Sequence, residues 1–385
     1  MSLVALLTVL SIGVCSCQYH HNSHKPNQPD RDDTLAKSDM VMAFVVFRHG
    51  DRTPDQGELN KFPNFKLEKN AFFPFGKKAL TNRGKERASR VGQYLRDRYD
   101  GLISRLYLPE EVHIQTTDYA RTKMSVLVAL SSLYPPLAMQ RWNPRLNWQP
   151  IPYDTPLRDD DSLLHFNNCP AYEQLKNKLY DLPEVQSHLQ ASKGLFEILT
   201  EKTGYNFTIP EEIFMLDNLF QALNNVDIPT PQWAQKIMPN IKEMTKLEYL
   251  VMFYTDELKR ISAGGILADV VNATKAKIAG DNDQPKLFIY SAHEDNVASL
   301  LAASKVFVPH QPKYGSTVSL ELWRNRVTGK YGFMVVYAAE IGRTPVVLPV
   351  AGCGGGMLCD YNTFLDLTKD FVLPHSEYKM HCNIS

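Results

Sequence analysis

A run of apolar residues at positions 41–47 constrains the fold of this chain most strongly, because it leads directly into a charged motif. A short, continuously apolar run of this kind is typical of a buried strand in a parallel sheet. The motif sets His49 between Arg48 and Arg52, and Gly50 would let the chain turn sharply and a ligand approach the backbone N–H groups. Open α/β sheets bind ligands at the carboxyl ends of their parallel strands, so the pattern predicts an α/β fold with a ligand site at this turn.

The residue types of the motif indicate a phosphate site that contains a nucleophile. Arg48 and Arg52 each offer planar, paired donors that stay charged at any working pH, which suits a tetrahedral dianion. The chain as a whole has no such bias, since its 42 Lys and Arg residues balance its 42 Asp and Glu residues. A net charge of zero argues against general affinity for nucleic acid or membrane surfaces, so anion binding must be local.

The rest of the 385-residue chain repeats strand and helix patterns around one long helical stretch. Strands are predicted at 112–116 and 286–291, and 317–324 with 332–337 predict an edge hairpin. The predicted class is therefore α/β, with a mostly parallel Rossmann-like sheet flanked by helices and a helical cap insertion. The predicted division is a signal peptide at 1–17, a flexible leader at 18–40, an α/β core at 41–141 and 266–385, and a mainly helical cap at 142–265.

The N-terminus and the cysteines indicate secretion. Residues 1–17 have an apolar centre followed by small residues, as in a secretory signal peptide, and no later stretch has the roughly 20 apolar residues of a membrane anchor. We therefore expect a secreted protein, with a lysosomal location as the second choice. Three sequons predict glycosylation of Asn206, Asn272 and Asn383.

Four cysteines lie beyond the signal, an even number in an oxidising compartment, and they permit three pairings. Cys353 and Cys359 flank three glycines, a chain flexible enough to close a short loop. This leaves Cys169 to pair with Cys382, which is the pairing that we favour.

Polar segments at 48–54, 116–121 and 291–296 follow predicted strands, and in this arrangement the chain resembles the histidine acid phosphatases, a branch of the histidine phosphatase superfamily. The opening signature of that family, Arg-His-Gly-x-Arg-x-Pro, is complete from Arg48 to Pro54. The Thr-Asp-x-x-Arg-Thr setting of its later arginine is matched at 117–122, and its Ser-Ala-His-Asp segment at 291–294 with glutamate as the last residue. Secreted and venom acid phosphatases of insects and other arthropods resemble the chain most closely, because they too can carry this glutamate.

The resemblance implies a ping-pong phosphomonoesterase that needs no cofactor. His49 would attack phosphorus and form a phosphohistidine that water then hydrolyses. Arg48, Arg52 and Arg121 would hold the phosphoryl oxygens, and His293 would add a further donor. Glu294 would protonate the leaving alkoxide, so it must be neutral when substrate binds.

The proton donor has an alternative, because Asp295 stands next to Glu294 and aspartate is the more common donor in the family. Neighbouring side chains at a strand-to-helix turn point in different directions, so we expect only one of the two to face the phosphate. The pair His49 and His293 could instead bind zinc with Asp51 or Asp295, but converging arginines repel cations, so we expect no metal.

Two rival functions stay open at this point. A mutase-like phosphotransferase uses the same Arg-His-Gly chemistry, although secretion and disulfides argue against a glycolytic role. A catalytically weak secreted protein that binds phosphorylated or polyanionic ligands is the alternative from another class. The expected partner is a small-molecule or peptide phosphate monoester, with no nucleic acid and no membrane anchor, and a homodimer is left open.

Overall fold

A central seven-stranded sheet forms the core of the protein, for which a computed structural model describes residues 33–384. The order across the sheet is β2-β3-β1-β4-β5-β6, and β7 also pairs with β5. The strands are β1 (Ser38–Arg48), β2 (Val112–Thr116), β3 (Leu287–Ala292), β4 (Thr317–Asn325), β5 (Tyr331–Ala338), β6 (Val346–Leu348) and β7 (Cys359–Asp360). The predicted signal peptide at 1–17 and most of the predicted leader lie outside the described residues.

The sheet is mixed, which corrects the prediction of a mostly parallel one. Strands β2, β3 and β1 run parallel to one another, whereas β4 to β7 form antiparallel pairs. The short turn between Asn325 and Tyr331 makes β4 and β5 antiparallel, because a tight turn can join only antiparallel strands. The hairpin itself is as predicted, but β4 lies against β1 inside the sheet rather than at its edge.

The first strand begins at Ser38, so the last residues of the predicted leader belong to the sheet. Ser38 and Asp39 pair with Asn325 and Arg324 of β4. The apolar run therefore marks only the buried part of β1, because the polar first residues of β1 lie beside the hairpin turn that follows Asn325.

Helices cover both faces of the sheet because alternate residues of β1 point to opposite sides. Phe44 and Val46 pack into one apolar cluster, and Val45 and Phe47 into the other. The second cluster is covered by α3 (Asn82–Tyr99) and α4 (Ala120–Leu133), and the first by α10 (Asp256–Ile278), α11 (Glu294–Ala303) and α12 (Tyr361–Thr368). Short helices α1 (Asp33–Ala36) and α2 (Gln56–Leu59) precede them, and α13 (His375–His381) closes the described chain.

Five consecutive helices, here called the insertion helices, separate the early strands from the late ones. They are α5 (Pro170–Leu179), α6 (Pro183–Ala191), α7 (Lys193–Thr203), α8 (Pro210–Asn224) and α9 (Gln232–Met252). Most of them enclose an apolar cluster of their own, to which Phe62 and Phe72 also contribute. The predicted boundary at 265 falls inside α10, which packs on the sheet through Ile266 and Val270.

Both predicted disulfides are present in the structure. The Cα atoms of Cys169 and Cys382 lie 5.0 Å apart, and those of Cys353 and Cys359 lie 5.2 Å apart. Among the described residues, no helix combines the length and apolar character needed to cross a membrane.

Candidate active site

The predicted site residues come together because three parallel strands end at one edge of the sheet. Arg48 at the end of β1 aligns with Ala292 at the end of β3, and Thr116 at the end of β2 aligns with Ser291. The N–H of His49 donates to the carbonyl of Ala292 at 3.0 Å. The turns that carry His49, Arg121 and His293 therefore start side by side.

Gly50 is needed here for backbone packing rather than for contact with a ligand. A Cβ atom at Gly50 would lie 2.1 Å from the carbonyl oxygen of Gly84, close to the start of α3. The N–H of Gly50 is already taken, since it donates to the hydroxyl of Ser125 at 3.1 Å. Thr81 is the N-cap of α3, and its hydroxyl accepts the N–H of Gly84 and so fixes the beginning of the helix. The helix start and the turn hold each other in position.

The ring of His49 has one possible tautomer, given its two neighbours. Its Nδ1 lies 2.7 Å from the carbonyl oxygen of Gly50, which can only accept a hydrogen bond. Its Nε2 lies 3.0 Å from Nε of Arg121, which can only donate. The proton therefore sits on Nδ1 and the lone pair on Nε2. Burial lowers the pKa of His49 well below its usual value, and the charge of Arg121 lowers it further.

Arg121 connects the two histidines. Besides its contact with His49, its Nη2 lies 3.4 Å from Nδ1 of His293. Burial lowers the pKa of Arg121 to about 10, helped by the charge of Arg52, so the group stays cationic at any acidic pH. His293 also contacts the Thr117 hydroxyl through Nε2 at 3.1 Å, and burial together with Arg121 lowers its pKa well below the usual value.

Arg52 is held by a carboxylate that no sequence pattern had indicated. Its Nη1 and Nη2 donate to the two oxygens of Glu58 at 2.8 and 2.5 Å. Burial alone would lower the pKa of Arg52, but the charge of Glu58 raises it well above the usual value. The Nε of Arg52 is buried and has no partner among the described residues. Asp55, three residues before Glu58, forms a capping-box pattern with it, and both hydrogen bonds of the capping box are present. This pattern does not predict the contact between Glu58 and Arg52.

Arg48 is fully buried and lies against Tyr314, whose ring centroid is 3.9 Å from the guanidinium carbon. Its Nη1 donates to the carbonyl of Pro312 at 2.6 Å. Its Nη2 has no hydrogen-bond partner in the described part of the chain. No sequence pattern pointed to Tyr314. A buried guanidinium with a free donor is suited to an anion that enters from outside.

The two carboxyl groups after His293 are in different electrostatic states. Oε2 of Glu294 lies 3.0 Å from Nε of Arg48, and Oε1 accepts the amide of Asn218 at 3.3 Å. Burial opposes ionisation of Glu294, but the charges of Arg48 and Arg52 outweigh it and lower its pKa. Burial raises the pKa of Asp295 to about 7, and the charge of Glu294 adds to this effect. In the unliganded protein the charge therefore resides on Glu294.

A cavity of about 240 Å³ opens above His49. Arg52, Arg121, His293, Glu294 and Asp295 also line it, so both candidate acids face it. Its far side is formed by insertion helices, including residues of α5, α8 and α9. Within residues 33–384, no three His, Cys, Asp or Glu side chains are grouped in a way that would hold a metal ion. Asp51, considered above as a zinc ligand, instead forms a two-point ion pair with Arg87.

The ends of the parallel strands bring an unprotonated imidazole nitrogen next to buried arginines. This arrangement is typical of enzymes that act on phosphate groups. The chain belongs to branch 2 of the histidine phosphatase superfamily, whose family model matches residues 39–337. It is a phosphomonoester hydrolase of the acid phosphatase type.

The relatives are acid phosphatases from distant animals. Bovine prostatic acid phosphatase (Bos taurus) is 31% identical over 367 residues, covering 92% of this chain and 91% of the relative. The venom acid phosphatase Acph-1 of Apis mellifera is also 31% identical, covering 89% of this chain and 87% of the relative. The arthropod enzyme, which was expected to be the more similar, therefore has the same sequence identity to this chain as the bovine enzyme.

Solved structures with the same fold include a phytase of Hafnia alvei in complex with tartrate. It superimposes with a TM-score of 0.65 at 15% identity, covering 88% of this chain and 98% of the phytase. At this level of identity the likeness concerns the fold.

Proposed function

We propose that this protein is a secreted acid phosphatase that hydrolyses phosphate monoesters through a phosphohistidine on His49. The observation that carries the proposal is the fixed tautomer of His49, whose lone pair on Nε2 meets Arg121 at 3.0 Å. A histidine attacks phosphorus only through a ring nitrogen that carries no proton, and the lowered pKa of His49 favours this state of Nε2.

The phosphoryl group would be held by buried N–H donors of the arginines, including donors that have no other hydrogen-bond partner among the described residues. Nη2 of Arg48 and Nε of Arg52 have no partners among the described residues, and Arg121 reaches both histidines. Each guanidinium would stabilise charge on the phosphoryl oxygens in the transition state. His293, held by Thr117, would add one more contact.

Glu294 would act as the acid once substrate is bound. A bound dianion places negative charge beside the carboxylate and competes for Arg48, and both effects raise the pKa of Glu294. The protonated acid would then give its proton to the leaving oxygen as Nε2 of His49 bonds to phosphorus and the ester P–O bond breaks. In the second half, Glu294 would accept a proton from water as that water attacks phosphorus and the P–N bond breaks. Asp295 is the alternative donor, supported by its pKa of about 7.

The insertion helices, with the loops from residue 142 onward, would act as a cap that limits which leaving groups enter. Support comes from their own apolar core and from their share of the cavity wall. Secretion is supported by the pattern of residues 1–17 and by both disulfides. Asn206, Asn272 and Asn383 are all exposed, as attachment of glycans would require.

Hydrolysis of para-nitrophenyl phosphate at about pH 5 tests the function. We expect release of free phosphate, with His49→Ala reduced on the order of 10⁴-fold or more. Mass spectrometry under non-acidic quenching should find one phosphoryl group on the peptide that contains His49, since phosphohistidine is labile in acid. No release above the His49→Ala level would favour the binding protein, and transfer to a second substrate without free phosphate would favour the mutase.

A further inference from the structure

The cavity above His49 continues to a second group of charged side chains, here called the acidic end, which consists of Glu173, Lys176, Glu211 and Glu248. Nζ of Lys176 lies 3.0 Å from Glu211, 3.2 Å from Glu173 and 3.8 Å from Glu248. One ammonium group is thus shared by three carboxyl groups. These residues come from three insertion helices, α5, α8 and α9, so the group is built by their packing rather than by one segment.

The exposed groups of the acidic end are carboxyl groups. Burial raises the pKa of Glu248 to about 7, although the charge of Lys176 and the hydrogen bond that the Tyr180 hydroxyl donates at 2.7 Å both lower it, so Glu248 is mostly neutral below that pH. Lys176 is 4% exposed, while the side chains of Glu173 and Glu211 are 43% and 38% exposed. The lysine is therefore covered, and the two carboxylates that outnumber it are the groups open to a ligand.

The walls between the two ends add a further feature that suits a cation. The aromatic side chains of Tyr172 and Phe214 line the same cavity. Aromatic faces attract ammonium groups because their π-electrons carry partial negative charge. Asp55 also lines the cavity, and although burial opposes its ionisation, the N–H of Glu58 and the charge of Arg52 lower its pKa.

We propose that the acidic end is a leaving-group subsite for a protonated amine, so that phosphate monoesters of amino alcohols are preferred over esters whose leaving groups carry further negative charge. The inference rests on the proposed function, because it takes the phosphoryl group to bind at His49. The cavity then has a cationic end for the phosphate and an anionic end for the amine. A zwitterionic ester matches both, whereas a polyphosphorylated leaving group meets Glu173 and Glu211 as like charges.

A homologous series of substrates tests this subsite. The kcat/KM values of ω-aminoalkyl phosphates with two to six carbons are compared with those of alkyl phosphates of equal length. We expect the amine to raise kcat/KM by about fivefold at one chain length, the effect of a partly exposed ion pair, and to lose this advantage in high salt. Equal or lower values for the amines at every length would overturn the proposal.

Variants then locate the preference. In Glu173→Gln with Glu211→Gln, the ratio of amine to alkyl ester should fall to about one, and because it is a ratio, the fraction of folded enzyme cancels. Glu197→Gln is the control, since Glu197 is exposed on α7, pairs only weakly with Lys193 and does not line the cavity. A preference that survives the double substitution would contradict the assignment.

Binding separates this inference from the proposed function. Calorimetric titration with an aminoalkyl phosphonate and with the matching alkyl phosphonate needs no turnover. If para-nitrophenyl phosphate is not hydrolysed but the aminoalkyl phosphonate binds more tightly, the proposed catalysis fails and the subsite stands. If hydrolysis occurs and both phosphonates bind equally, the subsite fails and the catalysis stands.

Discussion

At the scale of single residues, the site is a balance between buried positive and negative charges. Arg52 is tied to Glu58, whereas Arg48 shares Glu294 with Asn218. Each pair leaves at least one guanidinium donor free among the described residues, so the arginines are positioned before an anion arrives. Preorganised donors need no rearrangement during the reaction, which is why such pairs suit catalysis.

Isosteric amides distinguish the two candidate acids. We expect Glu294→Gln to lower kcat on alkyl phosphates by on the order of 10²-fold or more, because an alkoxide needs a proton to leave. Its effect on para-nitrophenyl phosphate should be much smaller, since that leaving group is stable as an anion. Asp295→Asn is the matched control and should keep most of the alkyl phosphatase activity. The reverse ranking, measured by steady-state kinetics on both substrates, would assign the acid to Asp295.

Glu58→Gln tests whether the ion pair positions Arg52. The substitution leaves a buried arginine without its counter-charge, which should reduce the free energy of unfolding by about 3 kcal/mol. It should also raise KM by about tenfold, because Arg52 is no longer held toward the phosphate. Phosphate or vanadate should therefore raise the melting temperature of the variant less than that of the wild type.

Glu68→Gln is the control for this prediction, since Glu68 is exposed on the loop that follows α2. A variant of Glu58 with unchanged KM would mean that Arg52 is positioned by other contacts.

At the scale of elements, the contact between the turn after β1 and the start of α3 fixes the nucleophile. Gly50 and Gly84 approach so closely that neither can carry a Cβ without displacing backbone. The charged motif and the helix start are separated by a long loop in the sequence, yet they form one rigid unit.

Gly50→Ala should therefore lower the free energy of unfolding by about 3 kcal/mol and also reduce kcat, because the added methyl group pushes the turn of His49 away from Gly84. Gly194→Ala on α7 is the control, since nothing lies within 4 Å of the position that its methyl group would take. We expect that control to gain about 0.5–1 kcal/mol from better helix propensity. Denaturant unfolding and activity assays measure both effects, and full activity in Gly50→Ala would show that the contact is dispensable.

The sequence predicted strands whose apolar pattern is regular, such as β2 at Val112–Thr116. It placed the end of the cap at 265, inside α10, although Thr255 followed by two acidic residues is a readable helix start. It missed β6 and β7 because two or three residues carry too little pattern. Within the site, residues that directly follow strands were predictable, whereas Glu58 and Asn218 were not, because their contacts depend on how distant segments pack.

At the scale of the whole molecule, acid has opposing effects on stability. His49 and His293 stay neutral in the folded protein while the unfolded chain takes up protons below about pH 6.5, so stability is lost as the pH falls. Asp295 and Glu248 act in the other direction, because their raised pKa values keep them protonated below pH 7 while they are ionised in the unfolded chain. The two histidines and the two carboxyl groups therefore have opposite effects on the free energy of unfolding as the pH falls.

The substitution Glu248→Gln should remove part of the stabilising effect of acid. Without the proton uptake of Glu248, the free energy of unfolding should fall more steeply with acidification, by about 1.4 kcal/mol per pH unit between pH 6.5 and 5. Glu243→Gln on the same helix is the control, because Glu243 is exposed and pairs with Lys246 at the surface. Denaturant titrations at several pH values give the slopes, and parallel slopes for all three proteins would contradict the raised pKa of Glu248.

The bond between Cys169 and Cys382 joins the beginning of α5 to the last described helix. The exposed turn around residues 281–283 lies between these two cysteines in the chain. A protease that nicked this turn would therefore leave two fragments in one covalent molecule. Such a nicked enzyme would keep its full mass on a gel until a thiol reagent released the pieces.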